Sequence, residues 1–476
     1  MYAPRLNAYL FAGRGRLVGQ AAPKFVDKGG IVKLHIGVTD LPIPQPILDT
    51  YAELQRDPRY AMGYPIDTAG GLGRKDVRET LAAVMNERYG VDTKADDWLV
   101  HDFAKPVLHM VPRALKFRAS PEEEAERTLK TVGEVLSGYD SSGRGELTFT
   151  DFIRIREVAL KEARTYRGVA FMKDPAYPAY FSATILADGD PSLIPSSAET
   201  GWLPQWSEVR PEDLSRAEAL YLCNPDNPTG IVLDEDYYRN DLLDFVNGAQ
   251  AAHKNKERLL LIHDKVYENM IFDGTKNVII AQIPELKDCC FESHSLSKEA
   301  NFTSKGLGFA YASGKVMKVI ASDLFEHYWQ SVDQAKQVLL MKILTEKDLQ
   351  NAILSNVKIV ESRHDLLYSI LRKAGLEASK MRATPYNWFP VPEGYKSTPW
   401  CDKVLFDLGV SFTPGDGFGP SGEGYARATV YPNPMDVAKD FKVEEMDPEE
   451  LHQQLVARGI NMLDEAGKRL VEGRFW

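Results

Sequence analysis

The chain has 476 residues, is 44% hydrophobic and 26% charged, and carries a formal net charge of −11 at pH 7. That is enough apolar material for a large core and two domains, and the interspersed acids and bases leave no basic footprint for nucleic acid. Cys223, Cys289, Cys290 and Cys401 form neither a disulfide framework nor a zinc spacing, and the adjacent Cys289 and Cys290 read as buried small hydrophobes. No stretch reaches the roughly 18 apolar residues of a membrane span. The opening MYAPRLNAYLFAGRGRL lacks an apolar run with a cleavage site. These features predict a soluble protein of the cytoplasm.

In chain order, DVRETLAAVMNERY (76–89) has a helical pattern. Residues 120–166 are charged and helical on both sides of YDSSGRGELTFTDF (139–152). That loop has EF-hand spacing, with Asp140, Ser142, Gly145 and Asp151 in place. Arg144 occupies a ligand position and an aspartate replaces the closing glutamate, so a capped helix–turn–helix is the better reading. GVAFMKD (168–174), EALYLCN (218–224) and RLLLIHD (258–264) are short apolar runs bounded by polar or turn residues. They predict buried strands of a mostly parallel sheet. NDLLDFVNGAQAAHKN (240–255) supplies an intervening helix, which completes the α/β alternation. From about residue 325 the pattern changes to a long helical stretch, a strand-rich segment and a last amphipathic helix over 447–467. The predicted organisation is an N-terminal arm that also forms part of the small domain (1–50), a large domain (51–325, with the insert at about 120–166) and a smaller α+β domain (326–476).

Three stretches carry candidate chemistry. In NPDNPTG (224–230), two X-Pro steps stiffen a strand-ending loop. It is either a plain turn or a rigid mount that aims an asparagine amide at a ligand on the carboxyl edge of the sheet. DKVY (264–267) puts Asp264 at a strand end, as a helix N-cap or as the partner of a cation. SLSK (295–298) places Lys298 among small hydroxyl residues. A desolvated lysine there has a lowered pKa and can form a Schiff base.

Together, and in this order with YARATV (425–430), these stretches resemble the class I/II aminotransferases, the fold-type-I enzymes that use pyridoxal 5′-phosphate. The resemblance implies an α/β fold with a mostly parallel sheet in the large domain, helices on both its faces, and a smaller α+β C-terminal domain. It implies that Lys298 carries the cofactor and moves the substrate proton, and that Asp264 pairs with the ring nitrogen. Asn227 and Tyr267 then contact the ring hydroxyl, Ser295 and Ser297 lie at the phosphate, and Arg427 clamps the substrate carboxylate. LHIGVTDLP (34–42), DPAYPAY (174–180) and MGYPIDTAGG (62–71) add Gly37 near the substrate, Tyr177 stacked on the ring, and Tyr64 reaching a neighbouring subunit's phosphate. A homodimer with shared sites is implied.

The chain departs from the family pattern in three places. The phosphate-binding arginine is replaced by Gly306, with Lys305 before it. Phe103 stands in a small-residue turn where helix N–H groups bind phosphate, followed by Ala104 and Lys105. Asn387 in TPYNWFP replaces a small residue close to the substrate, where its amide either reads a polar side chain or caps local backbone. Lys105 and Lys305 are the candidates for the missing phosphate charge.

The expected activity is an aminotransferase on an amino acid with a free α-carboxylate. The alternative is elimination, replacement or cyclisation on a γ-activated amino acid such as S-adenosylmethionine. A non-catalytic, calcium-responsive protein on the same scaffold is a third reading. No metal site, nucleic acid or membrane partner is expected.

Overall fold

A computed structural model describes residues 14–61, 71–114, 167–253, 259–320, 332–432 and 446–476. Tyr64 and the EF-hand-like loop at 139–152 lie outside these described residues. The strands are β1 (Val32–Lys33), β2 (Trp98–His101), β3 (Val169–Asp174), β4 (Asp190–Pro195), β5 (Ala217–Cys223), β6 (Leu260–Lys265), β7 (Cys290–Ser295), β8 (Gly308–Ala312), β9 (Tyr386–Pro390), β10 (Val410–Ser411), β11 (Thr413–Pro414) and β12 (Tyr425–Thr429). The helices used below are α1 (Ala104–Ala114), α2 (Pro178–Leu186), α3 (Gln334–Thr345), α4 (Lys347–Lys373) and α5 (Pro448–Glu472).

A seven-stranded sheet runs in the order β2-β8-β7-β6-β5-β3-β4. Strands β4, β3, β5, β6 and β7 pair in parallel, and only β8 runs against its neighbours. Strands β3, β5, β6 and β7 are buried at nearly every position. This is why they read as apolar runs rather than alternating patterns. Because β2 and β7 both run antiparallel to β8, they share a direction with the rest. The carboxyl ends of β2, β3, β5, β6 and β7 therefore meet on one edge.

The C-terminal elements form a second sheet, β11-β12-β9, and a short parallel pair, β1 with β10. The helical stretch after residue 325 is two helices, α3 and α4, with Glu346 between them. The last helix, α5, begins at Pro448, where the Asp447 carboxylate accepts from the Glu449 and Glu450 amides. That satisfies two of the N–H groups a helix start leaves unpaired. Arg363 of α4 pairs with Asp40 at 2.6 Å, both buried. It thereby ties the segment around Gly37 to the C-terminal helices. Among the described residues, no helix is long and apolar enough to cross a membrane.

Side-chain alternation divides β6 and β7 into two chemical faces. Asp264, Ser293 and Ser295 share one face, and His263, Lys265, Glu292 and His294 share the other. On that second face His263 Nδ1 lies 2.6 Å from Glu292 Oε2, and His294 Nε2 lies 3.1 Å from Glu292 Oε1. The Ile280 amide donates to Glu292 Oε2 at 2.9 Å, and Glu268 Oε2 sits 3.0 Å from His294 Nδ1. Burial works to lower the His294 pKa, but Glu268 and Glu292 raise it to about 9. Burial pushes Glu292 up, and its hydrogen bonds to His263 and His294 hold it well below the usual carboxylate range. A buried charge left without its partner is costly. Glu292→Leu is therefore expected to destabilise the protein by about 3–5 kcal/mol in urea unfolding. A loss below about 1 kcal/mol would show that the two histidines do not depend on it.

Candidate active site

The motif residues gather at the shared carboxyl edge. β5 ends at Cys223 and leads into the Asn224–Gly230 loop, which its own side chains fix. Lys173 Nζ donates to Asp226 Oδ2 at 2.6 Å and to Thr229 Oγ1 at 3.0 Å, with the lysine and the aspartate buried. The Asn224 amide group spans to Leu233 O and Tyr238 Oη. Gly230 turns the loop out at φ +70°, where a Cβ would collide with Met381. This is the rigid mount, and it presents Asn227. Asn227 Oδ1 accepts from an Arg427 Nη at 2.7 Å.

β6 delivers Asp264 beside that loop. Tyr180, on the first turn of α2, donates to Asp264 Oδ2 at 2.7 Å and stacks on Tyr221 with ring centroids 4.7 Å apart. Burial raises the Asp264 pKa to about 6, against the lowering effect of the Tyr180 bond. A carboxylate in that condition gains most from a cationic neighbour. Tyr177, half-buried, meets Tyr180 edge to face at 5.6 Å. Tyr267 Oη lies 3.2 Å from Tyr386 Oη.

Lys298 follows β7, with its amine donating to the Gly37 carbonyl. Burial lowers its pKa below the ordinary lysine value, which favours a neutral, nucleophilic amine. A Cβ at Gly37 would run into the Tyr386 ring, so glycine lets the 34–42 segment pass close over the site.

Arg427 on β12 is almost fully buried. Its guanidinium lies 4.1 Å from the Tyr386 ring centroid and 4.8 Å from that of Phe418. Among the described residues its Nε finds no hydrogen-bond partner. A sandwiched, incompletely paired fork is suited to a carboxylate.

Ser295 and Ser297 lie together, Oγ to Oγ 3.0 Å, and the Ser297 amide donates to Ser295 Oγ. Ser295 is two positions across the sheet from His101, both paired to Gly308, so the start of α1 at Ala104 lies beside it. The N–H groups of that first turn favour an anion. Lys105 and Lys305 are exposed. The Lys105 carbonyl holds His109, and the Lys305 carbonyl accepts from Lys336.

Asn387 requires a correction. In the β9–β12 register it pairs with Ala428, while Arg427 pairs with Trp388. Asn387 thus points to the face opposite Arg427, fully buried, with its amide donating to Ser379 O at 3.0 Å. It braces backbone, and its neighbour Tyr386 takes the place beside Arg427. Sequence reasoning also missed Tyr180. The signal for it was local, since it lies three residues after Tyr177 at a helix start, where side chains at i and i+3 share a face.

The ring end of this site fits the implied cofactor. A buried acid short of a cation, a nucleophilic amine, and an amide and a phenol converge there. The phosphate end offers two serines and a helix start but no guanidinium at position 306. Below about pH 4 the Asp264 carboxyl is protonated in folded and unfolded chains alike. Between there and about 6 the unfolded chain ionises first, so the folded state loses relative stability as pH rises. Asp264→Asn is expected to stabilise the cofactor-free protein at pH 8 by up to about 3 kcal/mol in urea unfolding. The gain should fade to near zero at pH 4, and an equal gain at both pH values would contradict the burial account.

The chain is similar to known proteins over most of its length. The pattern of the family described as aminotransferase class I and II matches residues 150–438. An LL-diaminopimelate aminotransferase of Dehalococcoides mccartyi is 33% identical over 432 residues, covering 89% of this chain and 92% of that protein. An LL-diaminopimelate aminotransferase 2 of Trichormus variabilis is 31% identical over 427 residues, covering 90% and 92%. The structure of L,L-diaminopimelate aminotransferase from Chlamydomonas reinhardtii superposes with a TM-score of 0.69 at 19% identity, covering 98% of this chain and 96% of that one. The comparisons favour transamination over the elimination or cyclisation alternative. The protein is a pyridoxal-phosphate-dependent aminotransferase acting on an amino acid, and the chain belongs to the aminotransferase class I and II family.

Proposed function

We propose that the amino donor is LL-diaminopimelate or an amino acid of the same kind, with a second charged end beyond the α-carbon. The observation that carries this reading is the 33% identity with an enzyme of that name across nearly the whole of both chains. Arg427 binds the α-carboxylate through its fork, held in orientation by Asn227 and the Tyr386 and Phe418 rings. Lys298 would hold the cofactor and, once free as an amine, would serve as the base for the 1,3-shift of the Cα proton. Asp264, oriented by Tyr180, pairs with the ring nitrogen. Asn227 and Tyr267 hold the ring hydroxyl, Tyr177 covers the ring face, and Ser295, Ser297 and the helix start at Ala104 receive the phosphate. Bound there, pyridoxal phosphate supplies the electron sink for the charge left on Cα.

The same reading takes residues 51–325 as a cofactor-binding domain and 326–476 as a smaller one, with 1–50 as an arm. Supporting it, the seven-stranded sheet draws on 98–312 and the three-stranded sheet on 386–429. It also takes the working unit as a homodimer, with Tyr64 lent to the partner's phosphate, in the cytoplasm. The four cysteines are buried thiols outside any disulfide, which fits a reducing compartment.

The test is a single half-reaction. The loaded protein is mixed with LL-diaminopimelate, and separately with other amino acids, in the absence of any keto-acid acceptor. One keto acid per site, formed fastest from LL-diaminopimelate, is the expected result. Lys298→Ala is expected to slow it by at least about 10²–10⁴-fold. A faster reaction with a monocarboxylic, uncharged amino acid would overturn the donor, and an undiminished rate in Lys298→Ala would overturn the lysine's role.

A further inference from the structure

The missing arginine has a structural cause. Gly306 sits at φ +64°, and a Cβ there would come 2.6 Å from Phe103 Cε1 and 2.7 Å from Asp102 O. A side chain at 306 would have to expel the turn that leads into α1. Phe103 in the small-residue turn and Gly306 in the arginine position are therefore one packing solution. The exchange removes a cation from the place where a phosphate monoester, with a charge of about −1.5 to −2, is to be held. The helix start offers only about half a charge.

One described cation is built into that place from another element. Lys336 rises from the first turn of α3, whose start is fixed by Asp333 accepting from the Ala335 and Lys336 amides. Its side chain is only 14% exposed. Its Nζ donates to Asp102 Oδ1 at 2.7 Å and to Lys305 O at 2.8 Å. A single ammonium thus holds together the turn before α1 and the loop after Lys298, the two segments that close the phosphate end. An ammonium has three donors. Asp102 and Lys305 take two among the described residues, which leaves one N–H for a phosphate oxygen. The exposed Lys105 and Lys305 side chains have no comparable mount.

We propose that Lys336 is the phosphate cation of this enzyme, replacing from α3 the arginine that the Phe103–Gly306 contact displaces. Asp102 is the counter-ion that keeps the ammonium in place and moderates its charge. As a compact point charge, Lys336 binds phosphate without the bidentate geometry of arginine. The assignment rests on the cofactor site proposed above.

The experiment compares binding of pyridoxal phosphate with that of pyridoxal, which lacks the phosphate. Both are followed by the visible absorbance that appears on joining Lys298. If wild type gives no such band with either compound, the cofactor site itself is misassigned. With the band present, Lys336→Met is expected to weaken pyridoxal phosphate at least tenfold and leave pyridoxal within twofold. Lys336→Gln, which keeps donors for Asp102 and the Lys305 carbonyl but not the charge, should show the same selective loss, and Lys336→Arg should recover most of the affinity. Unchanged affinity for pyridoxal phosphate, or an equal loss for both compounds in Lys336→Gln, overturns the proposal and leaves Lys336 a brace between two loops.

Discussion

Burying Asp264 at the carboxyl end of β6 is the constraint on which the rest of the site depends. A carboxylate there is costly unless something cationic joins it. Tyr180 supplies one hydrogen bond, which fixes the direction of the acid without neutralising it. The deficit that remains is a stored preference for a protonated ring nitrogen. The sheet tolerates this because its other face is closed off chemically. The charges of His294, Glu292 and Glu268 satisfy one another there, and Lys265, on the same face, donates to Asn277 Oδ1 and Val278 O.

Contacts from distant parts of the chain complete the pocket. Arg427 from β12 reaches Asn227 at the end of β5, Lys298 reaches Gly37 near the N-terminus, and Tyr267 meets Tyr386 of β9. Each contact joins a residue proposed to hold cofactor to one at or beside the proposed substrate position. Shifting the C-terminal sheet against the large one would break all three together. Substrate grip and cofactor geometry are thus mechanically coupled through a few buried polar groups, which carry higher stakes in a low-dielectric interior than at a surface.

The legible part of this protein was the part encoded locally. Strands β3, β5 and β6 read directly from their apolar runs. Asp264, Lys298 and the Asn224–Gly230 loop read from strand ends, because a parallel sheet places such positions on one edge. Residues whose roles depend on long-range register were not legible. Asn387 and Tyr386 are adjacent in sequence, and only the pairing of β9 with β12 decides which of them faces Arg427. A one-residue slip would exchange them. Lys336 was hidden for a related reason, since it lies on an ordinary amphipathic helix some thirty residues from the loop it touches. Tyr180 lay within a stretch already singled out, and it was missed because attention went to the residue expected to stack.

Loss of the phosphate arginine, taken alone, would fit decay of the site. The packing argues against decay. A decaying site would lose the arginine and leave its surroundings unchanged, giving an unfilled gap between the loop after Lys298 and the turn before α1. Instead, Gly306 adopts a backbone conformation that side chains rarely enter, and Phe103 packs where a Cβ would be. A part-buried ion pair from α3 then bridges the same two segments. Three changes that fit one another are the mark of a rebuilt site. They also explain why no side chain at 306 supplies the cation, since the Phe103 ring already occupies the space that a Cβ there would enter. The proposed ring end of the site keeps every residue that the resemblance assigned to it.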